Sequence, residues 1–351
     1  MQKYCSNIQS LYFYPVFYVT QANLFMQQKN TVILGTGGTI AGKSVSAGDN
    51  IGYTAAQVSA AELIAAIPAL AASNHLLVEQ VAQIDSKDIT FAVWVNLAER
   101  VRYFLARDDV CGVVITHGTD TLEETAYFLQ AVLNPVKPVV LTCAMRPATS
   151  LVPDGVQNIM DALTVARHAN ARGVVAVCAG VVHSALDVQK VHPYRLDAFS
   201  SGDCGPIAYV EENALRTLRN WPFQQQPRAL SAMDLIAILT KAVSDKTWPS
   251  VEIVMSYAGA NSVLVGALCK AGVQGIVVAA TGNGTIHQEL EAALLKAQSQ
   301  GIEVVRASRC VNGRILPKPG EVLTDSNGLS SVKARVELML CLMLPSSAVR
   351  T

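Results

Sequence analysis

Short β-branched runs alternate with longer stretches of helical periodicity along most of this chain. Thr31-Val32-Ile33-Leu34 and Val113-Val114-Ile115 each read as a buried strand that stops at a tight, glycine-rich turn. Strands are expected over 76–84, 111–116, 138–144 and 173–178, and helices over 88–106, 121–134 and 154–170. Ser59-Ala60-Ala61-Glu62 and Thr121-Leu122-Glu123-Glu124 carry the spacing of a capping box, which marks two helix starts. This alternation predicts an α/β fold whose parallel sheet is crossed by helices.

The rhythm breaks between 211 and 250. Trp221-Pro222, Gln224-Gln225-Gln226-Pro227 and Trp248-Pro249 punctuate that stretch, with one short helix expected near 232–241. Alternation then resumes, with strands over 251–255, 275–279 and 302–306, helices over 262–271 and 287–298, and a last helix over 331–344. The expected architecture is two-domain. A larger N-terminal parallel-sheet domain with flanking helices spans 27–210, a linker 211–250, and a smaller C-terminal α/β domain 251–351.

Residues 1–26 differ in character. Tyr4, Tyr12, Phe13, Tyr14, Phe17, Tyr18 and Phe25 crowd ahead of an otherwise aromatic-poor chain. Lys3, the apolar stretch 11–19 and Ala22 resemble a secretory signal, but Pro15 and the tyrosines interrupt its core. A disordered extension, with the natural beginning near Met26, is the preferred reading; a signal would send the protein to the periplasm. No uninterrupted apolar run reaches the length of a membrane span.

Composition narrows the function. The chain has 351 residues, 51% apolar and 15% charged, which suits packed cores rather than disorder. Lys plus Arg and Asp plus Glu both number 27, so nucleic acid has no electrostatic footprint here, and a small ligand is expected. The eight cysteines are scattered without a Cys-x-x-Cys pair, and Cys143 and Cys178 lie in apolar runs. Buried free thiols in a reducing, cytoplasmic setting are expected.

The chemistry gathers at two turns, Thr36-Gly37-Gly38-Thr39-Ile40-Ala41-Gly42 and Thr116-His117-Gly118-Thr119-Asp120-Thr121. Strand C-terminal ends are where open α/β sheets place ligands. Thr39 is a candidate nucleophile, needing a base and an anion-stabilising pocket. Asp120 alone reads as a helix cap. Lys190 defaults to a surface lysine but becomes a general base if burial lowers its pKa. His117 reads as a packed turn residue, and Tyr53 sits in a stretch with the composition of a mobile lid. Gly37 to Ser44 also satisfies the P-loop pattern, yet the following Val45-Ser46-Ala47-Gly48 is poor in helix formers, so nucleotide hydrolysis is rejected. No cluster has metal-ligand spacing.

These two turns resemble the signatures of the bacterial-type L-asparaginase family. Ala144-Met145-Arg146-Pro147, Asp187-Val188 with Lys190, Phe199-Ser200-Ser201-Gly202, Gly282-Asn283-Gly284 and Lys333-Ala334-Arg335 are similar to it as well. The resemblance implies a cofactor-free amidohydrolase of L-asparagine, or of L-asparagine and L-glutamine, passing through an acyl-enzyme. It implies Thr39 as nucleophile, Tyr53 as its activator, and Thr119, Asp120 and Lys190 as a second catalytic set. Ser86 and Asp120 would bind the substrate's α-carboxylate and α-ammonium, beside Gly38 and Gly118. Homotetramers with sites completed by a neighbouring subunit are the implied assembly. Three positions depart. Lys87 would repel an amino group and is expected to turn outward, Thr285 replaces a frequent Asn, and Glu321 is the nearest counterpart of a neighbour-donated Glu. Two further classes compete: an inactive amino-acid sensor, disfavoured by the retained Thr39, Thr119, Asp120 and Lys190, and an amidotransferase subunit, disfavoured by the lack of basic character.

Overall fold

Unbroken apolar runs demand burial on both faces, and here they build the centre of a large sheet. The computed structural model describes residues 29–46, 48–222, 230–316 and 318–344; the segment 1–26 and the stretch 224–227 lie outside the described residues. The first half comprises β1 (Asn30–Gly37), α1 (Ala60–Ala65), α2 (Pro68–Ala71), β2 (Leu76–Ile84), α3 (Phe91–Leu105), β3 (Val110–Thr116), α4 (Leu122–Leu133), β4 (Val139–Thr142), α5 (Gly155–Ala166) and β5 (Val174–Cys178). There follow β6 (Val181–Ser184), β7 (Gln189–Lys190), β8 (Phe199–Ser200), β9 (Ala208–Glu211), β10 (Ala214–Thr217) and α6 (Ala232–Ser244). The last part holds β11 (Val251–Met255), α7 (Val263–Ala271), β12 (Gly275–Ala280), α8 (Gln288–Ser299), β13 (Glu303–Ser308), β14 (Thr324–Asp325) and α9 (Ser331–Met343).

Eight strands form the large sheet in the order β10-β9-β6-β5-β4-β3-β1-β2. From β2 to β5 the strands are parallel, with Val32 opposite Val113 and Leu34 opposite Ile115. Alternate residues serve opposite faces. Val32, Leu34, Val113, Ile115, Val139 and Leu141 meet α3 and α4, whereas Ile33, Val114, Val140 and Val175 meet α1 and α5. Each such side chain contributes about 1.5–3 kcal/mol of hydrophobic stabilisation when fully buried.

The remaining edge corrects the expectation of a parallel sheet. β5–β6, β6–β9 and β9–β10 are antiparallel, so the sheet is mixed. Two tight hairpins set the β5–β6 and β9–β10 pairs. Ala179 and Gly180 have φ of 50° and 75°, and Glu212 and Asn213 have 49° and 60°, the left-handed pairs that match strand twist in two-residue loops. The second hairpin carries the sheet to Thr217, past residue 210, so the connection expected over 211–250 begins with sheet residues.

Several helices start later than their periodicity suggests, and α3 and α5 show why. Before α3 a separate 3-10 turn closes over Ser86–Asp88, and Thr90 then caps the Val93 N–H. Asp154 stays outside α5 because its carboxylate accepts the backbone N–H groups of Met145 and Arg146 at 2.9 and 3.0 Å. At Ser59 the capping box is fully formed.

The smaller sheet is parallel, in the order β11-β12-β13-β14. One face buries Val254, Ile276, Val278 and Val304 under α7 and α8. Val251, Val277 and Ala307 of the other face join Ala334 and Leu338 of α9 in the core that also holds Phe128 and Leu129 of α4. The apolar interior therefore runs without a break from one domain into the other. Seven cysteines are free among the described residues; Cys143 and Cys178 are buried, but Cys204 and Cys310 are exposed, contrary to uniform burial. No helix of the described residues is long and apolar enough to cross a membrane.

Candidate active site

Three parallel strands, β2, β1 and β3, end side by side, and their ends deliver the candidate hydroxyls of Ser86, Thr39 and Thr119. Gly38, Ser86 and Gly118 interlock there. Gly38 has φ of 80°, and a Cβ on it would collide with the backbone of Gly118; a Cβ on Gly118 would collide with Ser86 Oγ. Only glycine permits that approach at the left-handed position. The strand ends are tied as well: Thr36 Oγ1 donates to Thr116 O at 2.9 Å and Gly38 N–H to Ile84 O at 2.9 Å. Thr39 and Thr119, one residue beyond the touching glycines, are both nearly buried.

Thr39 Oγ1 lies 2.6 Å from the Tyr53 hydroxyl. Tyr53 arrives on a strap that leaves at Lys43 and returns at Thr54, where the two residues exchange backbone hydrogen bonds of 2.9 Å. Asp49 accepts the N–H groups of Ile51 and Gly52 at 2.9 and 2.7 Å and shapes the strap's tip; these bonds hold its carboxyl below the usual range. Ala56 N–H returns to Gly38 O at 3.1 Å. Among the described residues no helix starts at Lys43-Ser44, so the phosphate-loop geometry is absent.

Lys190 leaves the surface reading behind. Its Nζ donates to Asp120 Oδ1 at 2.6 Å and to Thr119 Oγ1 at 2.8 Å, and its side chain is 19% exposed. It stands on β7, a two-residue strand paired with β8. Asp120 is not a cap: its carboxylate faces Lys190, and its N–H donates to Ser86 Oγ at 3.2 Å. Thr121 departs from the capping expectation too, since its hydroxyl donates to Ser86 O at 2.8 Å instead of accepting from the first turn. The end of β2 competes for that hydroxyl and wins it.

His117 is fully buried, and burial pulls its pKa down to about 4. A carbonyl accepts only, so Nδ1 carries the proton to Gly118 O at 2.7 Å. Nε2 then accepts from Thr125 Oγ1 at 3.0 Å, which in turn accepts from Trp94 Nε1 at 2.8 Å. This closed chain braces the second turn from beneath. Thr125, a polar residue on an apolar helix face, is its sequence signal.

Lys87 turns outward, as its repulsion argument requires. It is 60% exposed and pairs with Asp88 at 2.5 Å and Asp85 at 3.4 Å. Thr285 bonds Thr281 across an isolated bridge. Glu321 is held inside its own domain by Arg306. The eight candidate positions thus gather around the ends of β2, β1 and β3, with Tyr53 reaching them on its strap and Lys190 from β7, as a Thr39–Tyr53 pair and a Thr119–Asp120–Lys190 set with Ser86 between.

Residues 30–223 match the family described as Asparaginase, N-terminal, and residues 250–349 that described as Glutaminase/Asparaginase C-terminal domain. The chain is 36% identical over 321 residues to a glutaminase-asparaginase of Pseudomonas fluorescens biotype A, covering 89% of this chain and 86% of the relative. It is 37% identical over 321 residues to L-asparaginase 2 of Escherichia coli K12, covering 89% and 88%. The fold is similar to the crystal structure of a "probable cytoplasmic L-asparaginase" from Campylobacter jejuni, with a TM-score of 0.80 and 36% identity over 92% of this chain and 98% of that one.

Proposed function

This chain belongs to the asparaginase family, and from that membership we propose that it hydrolyses L-asparagine to L-aspartate and ammonia with Thr39 as nucleophile. The observation that carries the assignment is the pairing of two activated hydroxyls on adjoining turns, Thr39 with Tyr53 and Thr119 with Lys190. Thr39 Oγ1 bonds to the side-chain carboxamide carbon as its proton passes toward the Tyr53 oxygen. The C–N bond breaks as the leaving nitrogen takes the proton relayed through the Tyr53 hydroxyl, and ammonia departs from a Thr39 ester. Water then attacks that ester; its oxygen joins the acyl carbon, the bond from that carbon to Thr39 Oγ1 breaks, one proton of the water passes to Oγ1, and L-aspartate leaves.

In this reading Lys190, anchored by Asp120, aims its amine at Thr119, which orients the amide in the first step and the water in the second. Such positioned proton transfer contributes about 10²–10⁴-fold each. Asp120 is half exposed and offers its carboxylate to the substrate's α-ammonium as a charge-assisted hydrogen bond. Ser86, between the turns, receives the α-carboxylate beside Gly38 and Gly118. Lys87 is drawn away by Asp85 and Asp88, so it leaves that arrangement intact. We place the protein in the cytoplasm, on its free thiols, and as a homotetramer whose sites a neighbouring subunit completes.

Relatives of comparable identity carry the names asparaginase and glutaminase-asparaginase, so dual use of glutamine is the second reading. One methylene is worth only about 1–3 kcal/mol in a pocket. Ammonia release from both amides, for wild type and Thr39→Ala, is the deciding experiment. Thr39→Ala should lose on the order of 10⁴-fold or more in kcat with an unchanged melt; turnover near the wild-type rate would remove Thr39 from the mechanism. A kcat/KM for glutamine within about tenfold of that for asparagine would establish the dual reading.

A further inference from the structure

Lys333, on α9 of the small domain, is completely buried, and its amine is spent on the large domain. It donates to Leu186 O at 2.9 Å and to Val188 O at 2.6 Å. Those carbonyls belong to the segment that runs straight into Lys190. On the same segment the N–H groups of Asp187 and Val188 return to Ser184 O, and the Asp187 carboxylate is clamped by Arg219. Lys190 itself gives its backbone N–H to Glu123 Oε1 at 3.3 Å. Glu123 is a half-buried carboxyl, raised by desolvation and drawn back by the charge of Lys333.

An ammonium without solvent is unfavourable. Burial takes Lys333 down to about 8, while Glu123 and Asp187 oppose the shift. A leucine or methionine would fill this helix position with less penalty. What the lysine supplies is direction: two donated hydrogen bonds that hold one side of a backbone whose next strand is only two residues long.

We propose that Lys333 is a positioning residue for the reaction, fixing the backbone over 186–188 from the small domain so that the Lys190 amine meets Thr119 and Asp120. The inference rests on the preceding assignment of Thr119, Asp120 and Lys190 as the second catalytic set. Because the contact crosses from α9 to the segment before β7, seating of the small domain is coupled to the geometry of the reacting groups.

Ammonia release by the full chain is to be measured for Lys190→Met, Lys333→Met and the double variant, with thermal melts of each. Lys333→Met should lower kcat on the order of 10–100-fold, the scale of a misplacement near 1 Å, and leave KM within about threefold. Acting through Lys190, it should add nothing further in the double variant, whose kcat should equal that of Lys190→Met. Full kcat in Lys333→Met beside a crippled Lys190→Met would overturn the inference alone, as would a double variant slowed by the product of the two single effects. Full kcat in Lys190→Met would overturn the underlying assignment, and the inference with it. Should Lys333→Met lose its cooperative melt, Lys333→Gln, whose shorter amide cannot reach both carbonyls, runs through the same cycle with the same outcomes.

Discussion

A threonine hydroxyl reacts only when a neighbour takes its proton, and in this protein the phenol of Tyr53 is the group at 2.6 Å. Tyr53→Phe keeps the ring and removes that oxygen. A fall of about 100-fold or more in kcat is expected, with the melting temperature unchanged; full turnover would assign proton transfer elsewhere. A second residue bears on pH. Burial lifts Glu124 to about 7, with Arg335 pulling it down and Glu123 pushing it up. Its unfolded value lies near 4.5, so between these limits the folded chain retains a proton that the unfolded chain has released. Stability is therefore lost as pH rises through this window, by about 3 kcal/mol at most at ~1.36 kcal/mol per unit. Glu124→Gln removes that penalty. Its melting temperature relative to wild type should be a few degrees more favourable at pH 8 than at pH 5, and an equal difference at both pH values would contradict the assignment.

At the scale of elements, the strand ends matter more than the helices. Gly38→Ala forces a side chain into the backbone of Gly118 at a φ of 80°. Urea unfolding should register a loss of about 3 kcal/mol or more, and kcat should fall as the turns separate. A variant as stable as wild type would mean that the two turns yield to each other. The strands and both glycine turns were legible in the chain because β-branched runs and glycine punctuation are local signals. The capping box at Ser59 was legible for the same reason. Thr121 misled, since a capping pattern says nothing of Ser86, whose carbonyl lies 35 positions away. Lys190 was legible only through the family resemblance of Asp187-Val188 with Lys190; its partners Thr119 and Asp120 reach it only through the fold. The antiparallel edge was missed because Ala179-Gly180 and Glu212-Asn213 lack the usual Asn-Gly marker and join strands of four or five residues. Across these cases, local chemistry announced itself and long-range pairing did not.

For the whole molecule, the continuous core through α9 makes the small domain part of the structural support of the site. Its outer surface is apolar in places: Met255, Tyr257, Val263 and Leu264 are all exposed. A four-chain assembly would cover such residues, and light scattering on the eluted protein should return four times the chain mass. A fully active monomer would show that one chain completes its own site. The placement of Thr36 and Thr116, 80 positions apart yet bonded across neighbouring strands, has a kinetic consequence. During refolding, the two glycine turns meet only once β1 has slotted between β2 and β3. Late recovery of ammonia release, after helical signal has returned, would then time the insertion of a single central strand, so that turnover serves as a clock for sheet closure.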